Sequence, residues 1–170
     1  MKIYKCLFAL ILFSHFAFAQ LPKNENQFRD YFNKRADSLD QIEGIWNVSN
    51  TLEIYRADTL SETRKSEKPT RIAILKNNGK LESFELTGAS FNVQYFSTDV
   101  AGVYFYRVYF PETEQYSRKQ ALISKSGDME YSLNLSEEYV RQKFKESFGE
   151  GSRLVNNFKW SKFYPVVWKK

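Results

Sequence analysis

The sequence predicts a mainly β protein: an antiparallel meander or closed eight-stranded barrel, with one helix ahead of it and one helix before its last strand. Three observations carry this. Apolar and polar residues alternate with a period of two along much of the chain from 45 to 135, the pattern of half-buried strands. Short turns rich in Asn, Gly, Asp and Ser separate these stretches, which favours hairpins, and closing such a meander removes exposed edges. The helical period appears at two places, before and after the meander.

The first helix is expected over 28–39, where Phe28, Tyr31, Phe32, Ala36 and Leu39 recur at three and four residues; Asn24 or Asn26 is its candidate cap. Gly44 opens a strand over 45–55, with Trp46, Val48, Asn50, Leu52 and Ile54 on one parity and Asn47, Ser49, Thr51 and Glu53 on the other. The charged stretch 57–68 reads as a polar loop, long enough to act as a flap. Two strands, 70–76 and 81–87, form a hairpin across Asn77-Asn78-Gly79, a turn that tolerates positive φ. Strands 91–97 and 103–110 pair next, and 119–124 pairs with 129–135 across Ser126-Gly127-Asp128. Ser136 with Glu137 and Glu138 then opens a helix carrying Tyr139, Val140, Phe144 and Phe148, stopped by Gly149 and Gly151. A last strand over 153–164 places Leu154, Phe158 and Trp160 on one parity.

The chain of 170 residues is one domain of ordinary size, with 25 Lys plus Arg, 20 Asp plus Glu, one His and one Cys. Its start reads as a secretion signal over 1–19: Lys2 and Lys5 precede the apolar run 7–13, and Ala17-Phe18-Ala19 supplies small residues for cleavage before Gln20. The apolar run is too short to span a bilayer. Cys6 lies ahead of the run, where a lipid-anchoring cysteine would follow it. The remaining organisation is a tail and helix over 20–43, a barrel-like domain over 44–165, and a basic tail over 166–170 in which Trp168 is expected to be exposed.

Removing 1–19 changes the chemistry of what is left. Cys6 and His15 leave with it, and the net charge falls from +5 to +3 as Lys2 and Lys5 go. A chain without Cys or His has no disulfide, no thiolate or imidazole metal ligand, and no Ser-His or Cys-His catalytic pair. No serine is followed by lysine three positions on, and the seven glycines are too scattered for a phosphate loop. A charge of +3 is too weak for nucleic acid. We expect no enzyme and no cofactor, with a hydrolase built on carboxylates as the residual alternative. Secretion without cystines points to a bacterial envelope or exterior, periplasmic or fully secreted.

Gly44-Ile45-Trp46 at the head of the first strand, the helix after the meander and the strand after that helix resemble the lipocalin group of calycin β-barrels, which includes the fatty-acid-binding proteins. The run Ile42-Glu43-Gly44-Ile45-Trp46 and the ending Trp160-Ser161-Lys162-Phe163-Tyr164-Pro165 are also similar to secreted bacterial β-domains of unassigned function. The resemblance implies a Trp closing one barrel end against a basic residue of a late strand, for which Arg153 and Lys159 are the candidates. The family's Thr-Asp-Tyr-like middle motif is reduced to Thr98-Asp99.

Strand 103–110 carries apolar residues on both parities, as a strand buried on both faces would. Such aromatics either fill a core or line a ligand cavity, and an eight-stranded barrel interior is of a size for either. The candidate ligand-binding residues are Trp46, Phe91, Tyr95, Tyr104, Tyr106, Arg107 and Tyr131. An inward Arg107 would clamp a carboxylate with its planar fork, whereas an outward one would lay its stem on the sheet. The function expected on these grounds is a secreted, non-catalytic barrel holding a small apolar or amphipathic ligand. The competing expectation is a structural or protein-interaction module of the cell envelope, with a solid core and no ligand.

Overall fold

The computed structural model describes residues 21–165 apart from 112 and 146, and leaves the side chains of 143 and 144 undescribed. The expected signal over 1–19 and the basic tail with Trp168 lie outside the described residues. Helix α1 spans Glu25–Lys34 and is followed by a 3-10 turn, Ala36–Ser38. The strands are β1 (Gly44–Arg56), β2 (Thr59–Lys65), β3 (Thr70–Asn77), β4 (Lys80–Glu85), β5 (Ser90–Ser97), β6 (Val103–Phe110), β7 (Gln115–Ile123), β8 (Met129–Leu135) and β9 (Ser152–Tyr164). Helix α2, Glu137–Phe144, lies between β8 and β9.

All pairings are antiparallel, and β1 meets β9 as well as β3, so β1 and β3 to β9 close into an eight-stranded barrel. The expected fold class is the one observed. Strand β2 stands outside the ring. It pairs with the second half of β1, from Thr51↔Lys65 to Arg56↔Thr59, while the first half of β1 carries β3. The stretch expected to be a loop is therefore a hairpin, turned by Ala57 and Asp58 at positive φ. Alternation could not reveal it, because β2 is exposed along nearly its whole length.

Three apolar clusters follow from strand parity. Trp46, Val48, Ile72 and Ile74 point into the barrel with Tyr95, Tyr106, Met129 and Trp160. Their neighbours Ile45, Ala73 and Leu75 point outward and are covered by Phe28 and Phe32, one turn apart on α1. The side chain of Asn24 caps α1 by accepting from the Gln27 backbone N–H at 3.0 Å. Phe84, paired with Ala73, joins this outer cluster by the regular alternation of β4. The third cluster joins Val140 of α2 to Ile54, Phe148 and Leu154, where β1 and β9 run past the barrel.

The strand buried on both faces is thus β3, not β6. In β6, Tyr104, Tyr106 and Val108 are buried, but Phe105 is 38% exposed and Arg107 is also outside. No helix among the described residues covers that face of β6; guanidinium groups and rings pair across to β7 instead, Arg118 of β7 over Phe105 at 4.9 Å and Arg107 of β6 over Tyr116 at 5.1 Å.

Candidate ligand cavity

One end of the barrel is shut by the link between α1 and β1. Trp46 is fully buried and its indole N–H donates to the Ile42 carbonyl at 2.9 Å. Beside it the Tyr104 hydroxyl donates to Asp40. Glu43, 1% exposed, accepts from the backbone N–H groups of Asp40 and Lys76, each at 2.9 Å, and so ties the link to β3. The Lys162 ammonium lies 5.4 Å from the Trp46 ring centroid and donates to the Gln41 carbonyl at 2.6 Å. Burial lowers the Lys162 pKa to about 8, against the opposing pull of Asp40 and Glu43. The basic residue at the tryptophan is thus Lys162, not Arg153 or Lys159. Lys159 is turned outward toward Glu130, and Arg153 sits 4.0 Å over the Tyr55 ring. Gly44 has φ +149°, and a Cβ there would lie 2.3 Å from the Tyr164 carbonyl oxygen, so the Gly of the Gly-Ile-Trp run is required by close backbone approach.

The aromatic rings pack inward from this seal. Trp160 meets Trp46 at 6.5 Å, Tyr95 at 6.4 Å, Phe91 at 6.2 Å and Tyr131 at 5.9 Å, the first three edge-on. Tyr106 lies 4.2 Å from Tyr131. Beyond these rings the interior opens. A cavity of about 290 Å³ has Phe91, Val93, Val108, Tyr131, Leu133 and Phe158 on its wall and Glu85, Ser90, Asn92 and Asn156 among its polar lining. Helix α2 contributes Tyr139, whose ring meets Phe110 at 4.9 Å. The volume is at the lower end for small-molecule sites. Nearby, β7 and β8 share two register pairs, Leu122↔Glu130 and Ile123↔Met129. Further along that seam the Lys119 ammonium and the Tyr106 hydroxyl reach the Ser132 carbonyl, at 3.2 and 3.4 Å.

The seven residues singled out from the sequence divide by position. Phe91 and Tyr131 line the cavity, and Tyr95 and Tyr106 pack behind Tyr131. Trp46 and Tyr104 belong to the seal. Arg107 is outside the barrel, bonded to Gln94 at 2.7 Å, so the inward clamp is corrected to the outward reading: alternation between buried Tyr106 and Val108 leaves it no other face. Trp160, Leu133 and Phe158 escaped selection although they share the inward parity of their strands. Lys162 carried no local signal, since its role depends on a link more than a hundred residues earlier.

No family profile, no curated protein sequence and no solved structure matches the chain.

Proposed function

We propose that this chain is a secreted, non-catalytic binding protein of the bacterial envelope, whose lipocalin-like barrel holds one small apolar or amphipathic molecule. The observation that carries this reading is the contrast along the barrel axis: a sealed end and, past the ring stack, a cavity of about 290 Å³ with an apolar wall and polar residues among its lining. Apolar area supplies affinity there, and a few polar groups orient the ligand.

The test is to express the full chain in a bacterium with 1–19 in place, purify the processed product, and compare native with denaturing mass spectra. A product beginning at Gln20 with an added mass that disappears on denaturation is the expected result. A bare mass, even after incubation with a lipid extract, overturns the binding reading. It would favour a second one, supported by the outer face of β5 to β7, where Phe96, Phe105, Tyr116 and Leu122 are exposed among Arg107 and Arg118. Aromatic and arginine side chains grouped in this way are the composition of protein-interaction surfaces.

A further inference from the structure

Strand β2 stands outside the barrel and has a strand neighbour on one side only. Among the described residues it pairs with β1 alone, and its side chains are exposed from Thr59 to Lys65 except for the partly buried Glu62. The Ser66 backbone N–H donates to the Asn50 carbonyl at 3.0 Å. Backbone groups of an antiparallel strand alternate sides, so Arg64 and Glu62 also face β1. The N–H and C=O groups of Thr63 and Lys65 then point away from it, and such an edge is a template for another strand.

The edge carries charges of both signs. Glu62 and Arg64 share one face and are joined at 2.6 Å, with the Arg64 guanidinium 5.1 Å over the Phe148 ring. Charges on an exposed edge commonly blunt it. Their order here makes the edge complementary to itself. A second β2, antiparallel about a twofold axis through Thr63, sets Thr63 against Thr63 and Glu62 against Arg64 in both directions. Thr63, whose backbone faces outward, then makes the hydrogen-bonded pair, and the two Glu62–Arg64 pairs fall at the positions where opposing side chains are closest. A slip of two residues either way sets Glu62 against Glu62 or Arg64 against Arg64, and like charges directly opposite are unfavourable. A slip of one sets an outward backbone against an inward one and loses the ladder.

We propose that the free edge of β2 is a homodimer interface, on which a second copy of this chain adds its own β2 antiparallel with Thr63 on the twofold axis. Backbone hydrogen bonds join the strands, and the Glu62 and Arg64 side chains of both copies fix the register. The contact uses the same surface on each copy, so it closes at two. One short strand makes a small interface, so association depends on concentration. The dimer stands whether or not the barrel holds a ligand.

The full chain, processed as above, is followed by sedimentation equilibrium at loadings from roughly 10 μM to 1 mM, the span over which small interfaces associate. The wild-type mass should rise toward two copies and stop there. Glu62→Arg and Arg64→Glu each place like charges opposite one another in both pairs, so each alone should weaken association roughly tenfold or more. Mixed in equal amounts the two variants are complementary again, and the mixture should regain the dimer. Loss of the Glu62–Arg64 contact within one chain would not produce that recovery. Should either variant fail to fold, Thr63→Pro replaces it: proline is tolerated on an edge, removes the outward N–H and should abolish the dimer. A wild type that stays monomeric at the highest loading overturns the proposal, as does a mass beyond two copies. Dimers that persist in both charge variants, or in Thr63→Pro, place the contact elsewhere and overturn it. A mixture that remains monomeric overturns the register and the interface with it.

Discussion

At the sealed end, the indole of Trp46 and the hydroxyl of Tyr104 are both bonded to the link ahead of β1, and Lys162 closes over the ring from β9. A few ångströms further along the axis, Tyr95 and Trp160 are just as deeply buried and have no such bonds. Both regions use large aromatic side chains, and what separates them is hydrogen bonding. The plug is tied by hydrogen bonds to the link; the ring stack behind the cavity is held by packing, with two polar atoms left unbonded among the described residues.

Truncating the plug should have the largest effect on stability. Trp46→Ala removes a fully buried indole, orphans the Ile42 carbonyl and takes away the surface on which Lys162 lies, so a loss of about 3–5 kcal/mol is expected in urea unfolding. A loss below about 1 kcal/mol would show that the two ends do not differ as described.

A smaller effect is expected from the charge on the plug. Lys162 has a folded pKa of about 8, below its ordinary 10.5, so folding disfavours the charged form. The penalty is full below about pH 8 and disappears as the pH approaches 10.5, so stability should climb across that window. The climb is expected to be about 1–2 kcal/mol, because part of the ammonium keeps solvent contact. Above pH 10 the buried tyrosines Tyr95, Tyr104, Tyr106 and Tyr131 act in the opposite sense: with pKa values raised by burial, their contribution is complete below about 10 and is lost as the pH rises beyond it. Thermal unfolding measured from pH 7 to 11 should therefore show a maximum near pH 9–10. Lys162→Met should flatten its rising limb, and a flat wild-type profile would contradict the buried ammonium.

The least effect on stability, and the sharpest on binding, belongs to the cavity. Leu133 lines the cavity, so Leu133→Phe directs its added volume there and not into packed side chains, and unfolding free energy should change by less than about 1 kcal/mol. Retention of the co-purifying mass should fall at least tenfold (roughly 1.4 kcal/mol). A variant that unfolds readily instead would mean that this end is packed like the plug.

Much of the barrel was legible in the chain because strand parity is a local property. The alternation in β1, the Asn78-Gly79 and Gly127 turns, and the Ser136 cap each act within a few residues, and all appear where periodicity and turn chemistry place them. β2 was not legible, since a strand exposed on both faces has no alternation to read. Nor was the covering of β3 rather than β6: both carry apolar residues on both parities, and only the docking of Phe28 and Phe32 from α1 decides which outer face is buried.

By itself, then, the sequence determined the fold class and the strand parity of the inward aromatics, and it raised the expectation that 1–19 is a leader whose removal would take Cys6 and His15 with it. Tertiary structure alone decided which aromatic seals and which borders space. That outcome depends on the Asp40–Glu43 link reaching β3, β6 and β9. Local periodicity reports which face a side chain takes. Whether its polar atom is satisfied depends on residues distant in sequence, and only the closed barrel brings them together.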